Sequence, residues 1–271
     1  MESGRITVEV ADGVAHVALS RPDKLNAMDE PMFGALGDTF RELGRDPAIR
    51  AVVLSGQGRH FTAGLDLQYA AGQFTPSSDP GRAAEARLRY IEWLQASFTA
   101  VEQARVPVIA AVHGACVGAG VDLISACDLR VGSANAFFQV AEVDVAITAD
   151  LGTLQRLGYL LPHGVVRELA YTGRRMEAEE AARLGLLNQV APDAAGALDA
   201  AWALARTIAA KSPLAIAGIK RSLNYSRGRT IEDGLAQVGL WNAATLISAD
   251  LGEAMAARAA GRNGSFGPLD P

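Results

Sequence analysis

The chain has 271 residues, 49% of them hydrophobic and 20% charged, with a net charge of −5. That length and apolar content suffice for a sizeable core, in one large domain or one domain with an appendage. Lys and Arg are scattered rather than clustered, which excludes the basic face that a nucleic-acid binder requires.

Cys116 and Cys127 are the only cysteines. They are too few for a disulfide framework and form no Cys-x-x-Cys pair, so a reducing compartment is expected. Met1-Glu2-Ser3-Gly4-Arg5 leads straight into an alternating segment, without an apolar signal core or an Arg-rich leader. No stretch reaches the ~18 consecutive apolar residues of a membrane span. The closing Gly267-Pro268-Leu269-Asp270-Pro271 is not a peroxisomal address. A cytoplasmic location with no membrane partner is the expectation.

In chain order, Ile6–Val10 alternates, Ala11-Asp12-Gly13 turns, and Val14–Ser20 alternates again, which predicts a β-hairpin. Arg21-Pro22-Asp23 breaks it. Asp29 or Glu30 starts a helix whose apolar face is Met32, Phe33, Leu36, Phe40 and Leu43, at helical spacing. Ala51–Ser55 is continuously apolar up to its serine and reads as a buried strand. Gly56–Gly72 is a loop region, and Gln73–Gly81, rich in Pro, Ser and Gly, is expected to be a mobile loop. A long helix is predicted over Ala83–Ala104 and a second buried strand over Val108–Val112.

Gly114-Ala115-Cys116-Val117-Gly118-Ala119-Gly120 is read as a loop running into a helix from Val121 to Ala126. Leu129–Val131 and Ala136–Val140 are further strands. Helices dominate from Thr153, with one strand around Asn188–Val190, and Ala201–Ala210, Pro213–Ser226 and Ile231–Ala260 are three closing helices. Pro213 fits a first helical turn, where its missing N–H leaves nothing unpaired. Strands alternating with helices, then helices alone, imply an α/β core with a helical C-terminal section. The division is drawn as 1–200 and 201–271.

Two glycine-containing loops each follow a buried strand: Ala63-Gly64-Leu65-Asp66 and Gly118-Ala119-Gly120-Val121-Asp122. N–H groups at such strand-to-helix turns are unpaired and point outward. Two that converge make an oxyanion hole, and one donor there contributes roughly 3 kcal/mol to a transition state. A thioester enolate suits it, because its charge grows on oxygen as the α-proton leaves. Two other readings stay open: the glycines only make turns, or Gly114-x-x-x-Gly118-x-Gly120 cradles the phosphates of a dinucleotide in a reductase. Against the reductase, the pattern lies mid-chain, and no Tyr has Lys four residues on. A Walker sequence is also missing.

Asp122, Glu142, Asp144 and Asp150 lie among apolar or small neighbours. An acid so placed is paired, a helix cap or functional, and Asp150 before Leu151-Gly152-Thr153 suits a cap. Asp128 and Glu168 read as pairing or surface residues. His16, His60, His113 and His163 show no metal spacing, so no metal is expected. No Gly-x-Ser-x-Gly elbow exists, and Cys116 has no evident base.

These loops and acids resemble the crotonase (enoyl-CoA hydratase/isomerase) superfamily over nearly the whole chain. Phe61-Thr62-Ala63-Gly64-Leu65-Asp66-Leu67 looks like its first oxyanion loop and Ala111–Leu123 like its second. The resemblance implies that the N–H groups of Leu65 and Ala119 form the hole, with Ala119 standing where many relatives carry Gly. It implies a ββα spiral core and C-terminal helices that drive trimers, or dimers of trimers. Arg21-Pro22-Asp23-Lys24-Leu25-Asn26-Ala27-Met28 matches the segment along coenzyme A. Lys24 is then expected near phosphate, and Ala27 and Ala63 near adenine or pantetheine. Gly64, Asp66, Gly118 and Lys220 complete the expected acyl-CoA contacts, and no cofactor is implied beyond the coenzyme A of the substrate.

Within the superfamily, Asp128-Leu129-Arg130, Phe137–Val145 and Ala149–Leu157 are very like the dienoyl-CoA isomerase branch. Its three acids fall on Asp122, Glu142 and Asp150, whereas hydratases carry only the first two positions, both as Glu. The resemblance therefore implies that a 3,5-dienoyl-CoA becomes a 2,4-dienoyl-CoA in fatty-acid oxidation. Glu142 would act at C2, Asp150 at C6, and Asp122 near the chain. Hydratase activity is the main alternative.

Overall fold

A computed structural model describes residues 4–69 and 79–270. Most of the expected mobile loop at 73–81 lies outside the described residues. The predicted hairpin is present as β1 (Ile6–Ala11) and β2 (Val14–Leu19), paired antiparallel around Asp12-Gly13. Both turn residues have positive φ, 52° and 75°, the geometry whose twist matches that of the flanking strands. Strands β3 (Ala51–Gly56), β4 (Val108–Val112) and β6 (Leu129–Ser133) add in parallel beside β2, and β9 (Gln189–Ala191) closes that edge. The six-stranded order is β1-β2-β3-β4-β6-β9.

The apolar runs of β3 and β4 follow from burial on both faces. Val52, Leu54, Val108, Ala110 and Val112 face one core, shared with α1 (Glu30–Arg45) and α2 (Pro80–Gln103). Val53, Ile109 and Ala111 face a smaller core closed by α7 (Ala194–Ala209) through Ala197, Ala201 and Ala205. Small residues every four positions let α7 lie close to the sheet. This helix runs through residue 200, so part of the expected closing section is packed on the sheet. All five residues of the predicted apolar face of α1 are buried, and Asp29 caps the helix by accepting from the Met32 N–H.

A second, three-stranded sheet departs from the sequence expectation. It is built from β5 (Ala115–Val117), β7 (Phe137–Gln139) and β8 (Arg175–Glu177), in the order β5-β7-β8. The segment expected to be a loop through Gly120 thus contains β5, and α3 (Ala119–Ser125) starts two residues earlier than expected. Strand β8 was not anticipated. It lies between α5 (His163–Thr172) and α6 (Ala178–Leu184). The short α4 (Thr153–Arg156) precedes them.

Helix α8 (Pro213–Ser226) has the predicted bounds. The single helix expected over Ile231–Ala260 is two, α9 (Ile231–Thr245) and α10 (Ala249–Ala259), because the Ser248 side chain caps a new start by accepting from the Leu251 N–H. Among the described residues, no helix is long and apolar enough to cross a membrane.

Candidate active site

The site forms where two loops at the C-terminal ends of β3 and β4 are stitched together. Thr62 pairs with Cys116 in a parallel bridge, with Thr62 N–H to Ala115 O at 3.0 Å and Val117 N–H to Thr62 O at 3.2 Å. The first loop thereby becomes an edge of the second sheet. Glycine is needed at both contact points. A Cβ on Gly64 would lie 2.6 Å from Val117 O, and one on Gly120 would lie 2.5 Å from Thr62 Cγ2.

This packing brings the backbone at Leu65 beside the start of α3. The Cβ position of Gly64 stands 3.6 Å from the Ala119 nitrogen. Among the described residues, neither the Leu65 N–H nor the Ala119 N–H donates a backbone hydrogen bond. Ala119 is the first residue of α3, where a helix leaves its N–H groups unsatisfied.

The three predicted acids come together around this point. Asp122, in the first turn of α3, is buried, and its Oδ1 accepts from the Thr153 N–H at 2.6 Å. Burial pushes its carboxyl up to about 7, against the pull of the Thr153 bond and with help from the charges of Glu142 and Asp150. Glu142 begins the turn Glu142–Val145 after β7. Its Oε1 lies 3.3 Å from where a Gly118 Cβ would be. Its Oε2 is buried with no hydrogen-bond partner among the described residues. Burial raises the Glu142 carboxyl, and Asp150 raises it further. Asp150 is also raised by burial. Burial thus raises all three carboxyl groups, Asp122 to about 7, and carboxyl groups so raised beside two N–H groups without backbone partners suit proton transfer.

Other predicted residues divide. Lys24 is exposed on the turn Pro22–Lys24. Ala27 and Ala63 lie half-buried on the same surface, joined through the Ala63 N–H to Leu25 O bond at 2.9 Å. Asp66 is engaged inside the protein. Its carboxylate pairs with Arg21 at 3.1 Å and accepts from the N–H groups of Gln68 and Tyr69. Lys220 is a correction: its ammonium is buried, 2.8 Å from Asp128 and 2.9 Å from Val106 O, so it is turned into the protein rather than toward a ligand. Asp144, in the same turn as Glu142, is exposed, and its carboxylate accepts from Gln139 Nε2 at 3.4 Å.

The dinucleotide reading of the glycines also gives way. Gly114 is packed against His60, Gly118 faces Glu142, and Gly120 admits Thr62, which leaves no phosphate cradle. Cys116 is fully buried, and burial holds its thiol well above the ordinary range.

Sequence reasoning overlooked Asn26. Fully buried, it donates to Gln57 O, His60 O and Phe61 O at 2.8–3.1 Å and accepts from the Arg21 N–H at 2.8 Å. It pins the turn at Arg21–Ala27 to the start of the first loop. The available signal was an Asn, a residue that tolerates left-handed φ, between Leu25 and Ala27, and the structure places it at φ 55°.

Residues 9–255 match the family described as enoyl-CoA hydratase/isomerase. A peroxisomal Δ(3,5)-Δ(2,4)-dienoyl-CoA isomerase of Arabidopsis thaliana is 44% identical over 94% of this chain and 93% of its own. A mitochondrial protein of the same name from Homo sapiens is 45% identical over 92% of this chain and 77% of its own. The crystal structure of an enoyl-CoA hydratase from Polaromonas sp. JS666 superposes with a TM-score of 0.88 at 31% identity, covering 96% of this chain and 99% of that one. The stitched glycine loops and clustered acids thus sit in a chain that matches this family almost end to end. The chain belongs to the enoyl-CoA hydratase/isomerase family.

Proposed function

We propose that this protein isomerises 3,5-dienoyl-CoA to 2,4-dienoyl-CoA. The observation that carries the reading is the third acid: Asp150, three residues before the Thr153 N–H that Asp122 accepts at 2.6 Å, adds a half-buried carboxyl group to Asp122 and Glu142. The thioester carbonyl oxygen accepts from the N–H groups of Leu65 and Ala119. Glu142 takes a proton from C2, and the electron pair left behind spreads through the diene onto the thioester oxygen. Asp150 donates its proton to C6, which leaves double bonds at C2–C3 and C4–C5. Proton balance is restored when Glu142 loses a proton and Asp150 gains one. Asp122 holds the Thr153 end of the Asp150 loop and adds negative charge to the cluster. Coenzyme A lies along the surface of Lys24, Ala27 and Ala63.

The closing helices expose Ile231, Leu235, Leu240 and Met255, and the break between α9 and α10 exposes Ile247. Apolar exposure on this scale suits association of copies into a trimer or a dimer of trimers. Sedimentation reads that state directly.

Absorbance of the enzyme with a 3,5-dienoyl-CoA tests the reaction. Growth of the longer-wavelength band of a thioester-conjugated 2,4-diene supports it. A flat trace, with water added to a 2-enoyl-CoA in a parallel cuvette, would move the assignment to a hydratase using Asp122 and Glu142.

A further inference from the structure

The carboxyl group of Asp150 makes no side-chain hydrogen bond to another described residue, yet its backbone is gripped from several sides. Gln95 Nε2 donates to Asp150 O at 2.6 Å. Arg156 Nη1 donates to the next carbonyl, Leu151 O, at 3.2 Å. Asp122 then holds the Thr153 N–H. Between them Gly152 sits at φ 130°, a conformation that side chains rarely adopt, and any Cβ there would collide with the Arg156 guanidinium. A loop in such a conformation persists where its surroundings determine it.

The grip has an anchor on α2. Gln95, Thr99 and Glu102 fall at i, i+4 and i+7, on one face of that helix. Glu102 Oε2 accepts from Arg156 Nε at 3.2 Å and Nη2 at 3.0 Å, a two-pronged pairing that fixes the guanidinium plane. Its other oxygen pairs with Arg227, just past the end of α8.

We propose that Gln95 and Arg156, the latter held by Glu102, are positioning residues that set where the Asp150 carboxyl meets the acyl chain. The inference rests on the isomerase reading, because only that reaction requires an acid so far from C2. A site held by backbone bonds from a packed helix keeps its acid within reach of C6. Loss of one bond lets the loop drift, and a misplacement of about 1 Å costs on the order of 100-fold in rate.

The test is Gln95→Leu and Glu102→Gln, assayed with 3,5-dienoyl-CoA in D2O. Two quantities are read: the rate of 2,4-diene formation, and deuterium entering C2 of recovered substrate, which reports Glu142 alone. The expected result is a kcat loss of roughly 10- to 100-fold with KM and C2 exchange changed by less than about 3-fold. Exchange and isomerisation falling together in folded variants would mean a general structural role and overturn the inference, as would unchanged kcat in both. If Glu102→Gln does not fold, Gln95→Leu decides alone. Wild-type enzyme that exchanges C2 but forms no 2,4-diene would sink the isomerase reading, and this inference with it. A wild type that isomerises beside variants that do so equally well sinks only the inference.

Discussion

Asp122 Oδ1 accepts the Thr153 N–H at 2.6 Å, which ties an acid of α3 to the first turn of α4. Because burial raises the Asp122 carboxyl to about 7, the folded state binds its proton more tightly than the unfolded chain does. The associated stability is fully present below about pH 4 and is lost as pH rises through about 7, at up to roughly 1.4 kcal/mol per pH unit. Asp122→Asn keeps an acceptor for Thr153 and removes the titration. Urea unfolding across this range is expected to show the variant gaining stability relative to wild type as pH rises. Parallel curves would refute the assignment.

Asn26→Ala leaves several buried polar groups without partners, at about 1–3 kcal/mol for each one left unsatisfied. The expected cost is on the order of 3 kcal/mol, with a raised KM for coenzyme A esters because the Lys24–Ala27 turn is released. Denaturant titration and steady-state kinetics measure the two effects. A stability loss with unchanged KM would separate this turn from the coenzyme.

Gly120→Ala places a methyl group 2.5 Å from Thr62 Cγ2 and 3.3 Å from Cys116 Sγ. The two loops must separate to admit it, and the N–H groups of Leu65 and Ala119 separate with them. A drop in kcat of on the order of 10²–10³ is expected, the size seen when one oxyanion donor is lost. Stopped-flow absorbance with saturating substrate measures it, and near-wild-type turnover would show that those N–H groups do not hold the thioester oxygen.

Lys220→Met removes the partner of a half-buried Asp128, whose side chain is 26% exposed. Breaking a buried pair is costly, and partial exposure moderates the cost here to about 1–3 kcal/mol. The KM for coenzyme A esters is expected to stay unchanged. A raised KM at unchanged stability would restore Lys220 as a ligand contact.

Elements with a strong local signal were legible in the chain. Val108–Val112 is continuously apolar because both faces are covered, and Pro213–Ser226 opens with Pro after a capping Ser212. The elements that escaped are those defined by partners distant in sequence. Ala115–Val117 is a strand only because Phe137–Gln139 and Thr62 pair with it. The three residues Arg175–Glu177 carry no pattern long enough to read. The break before Ser248 contains neither Gly nor Pro, so the helical period appeared unbroken. At the site, Asp122, Glu142 and Asp150 were visible together with Asp144 as acids among apolar or small neighbours, and the family resemblance, not that pattern, separated the three from Asp144. Lys220 was misplaced because the same local sequence serves a lysine pointing inward to Asp128 or outward to a ligand.

The Thr62–Cys116 bridge makes the pair of N–H groups a property of neither loop. On the proposed mechanism, each loop by itself presents half of a cradle, and the other half arrives only once two sheets have docked. If those N–H groups hold the thioester oxygen, turnover depends on contacts between segments far apart along the chain, the kind that form slowly in folding. A transplant of either glycine motif into another scaffold would carry the signature without the chemistry.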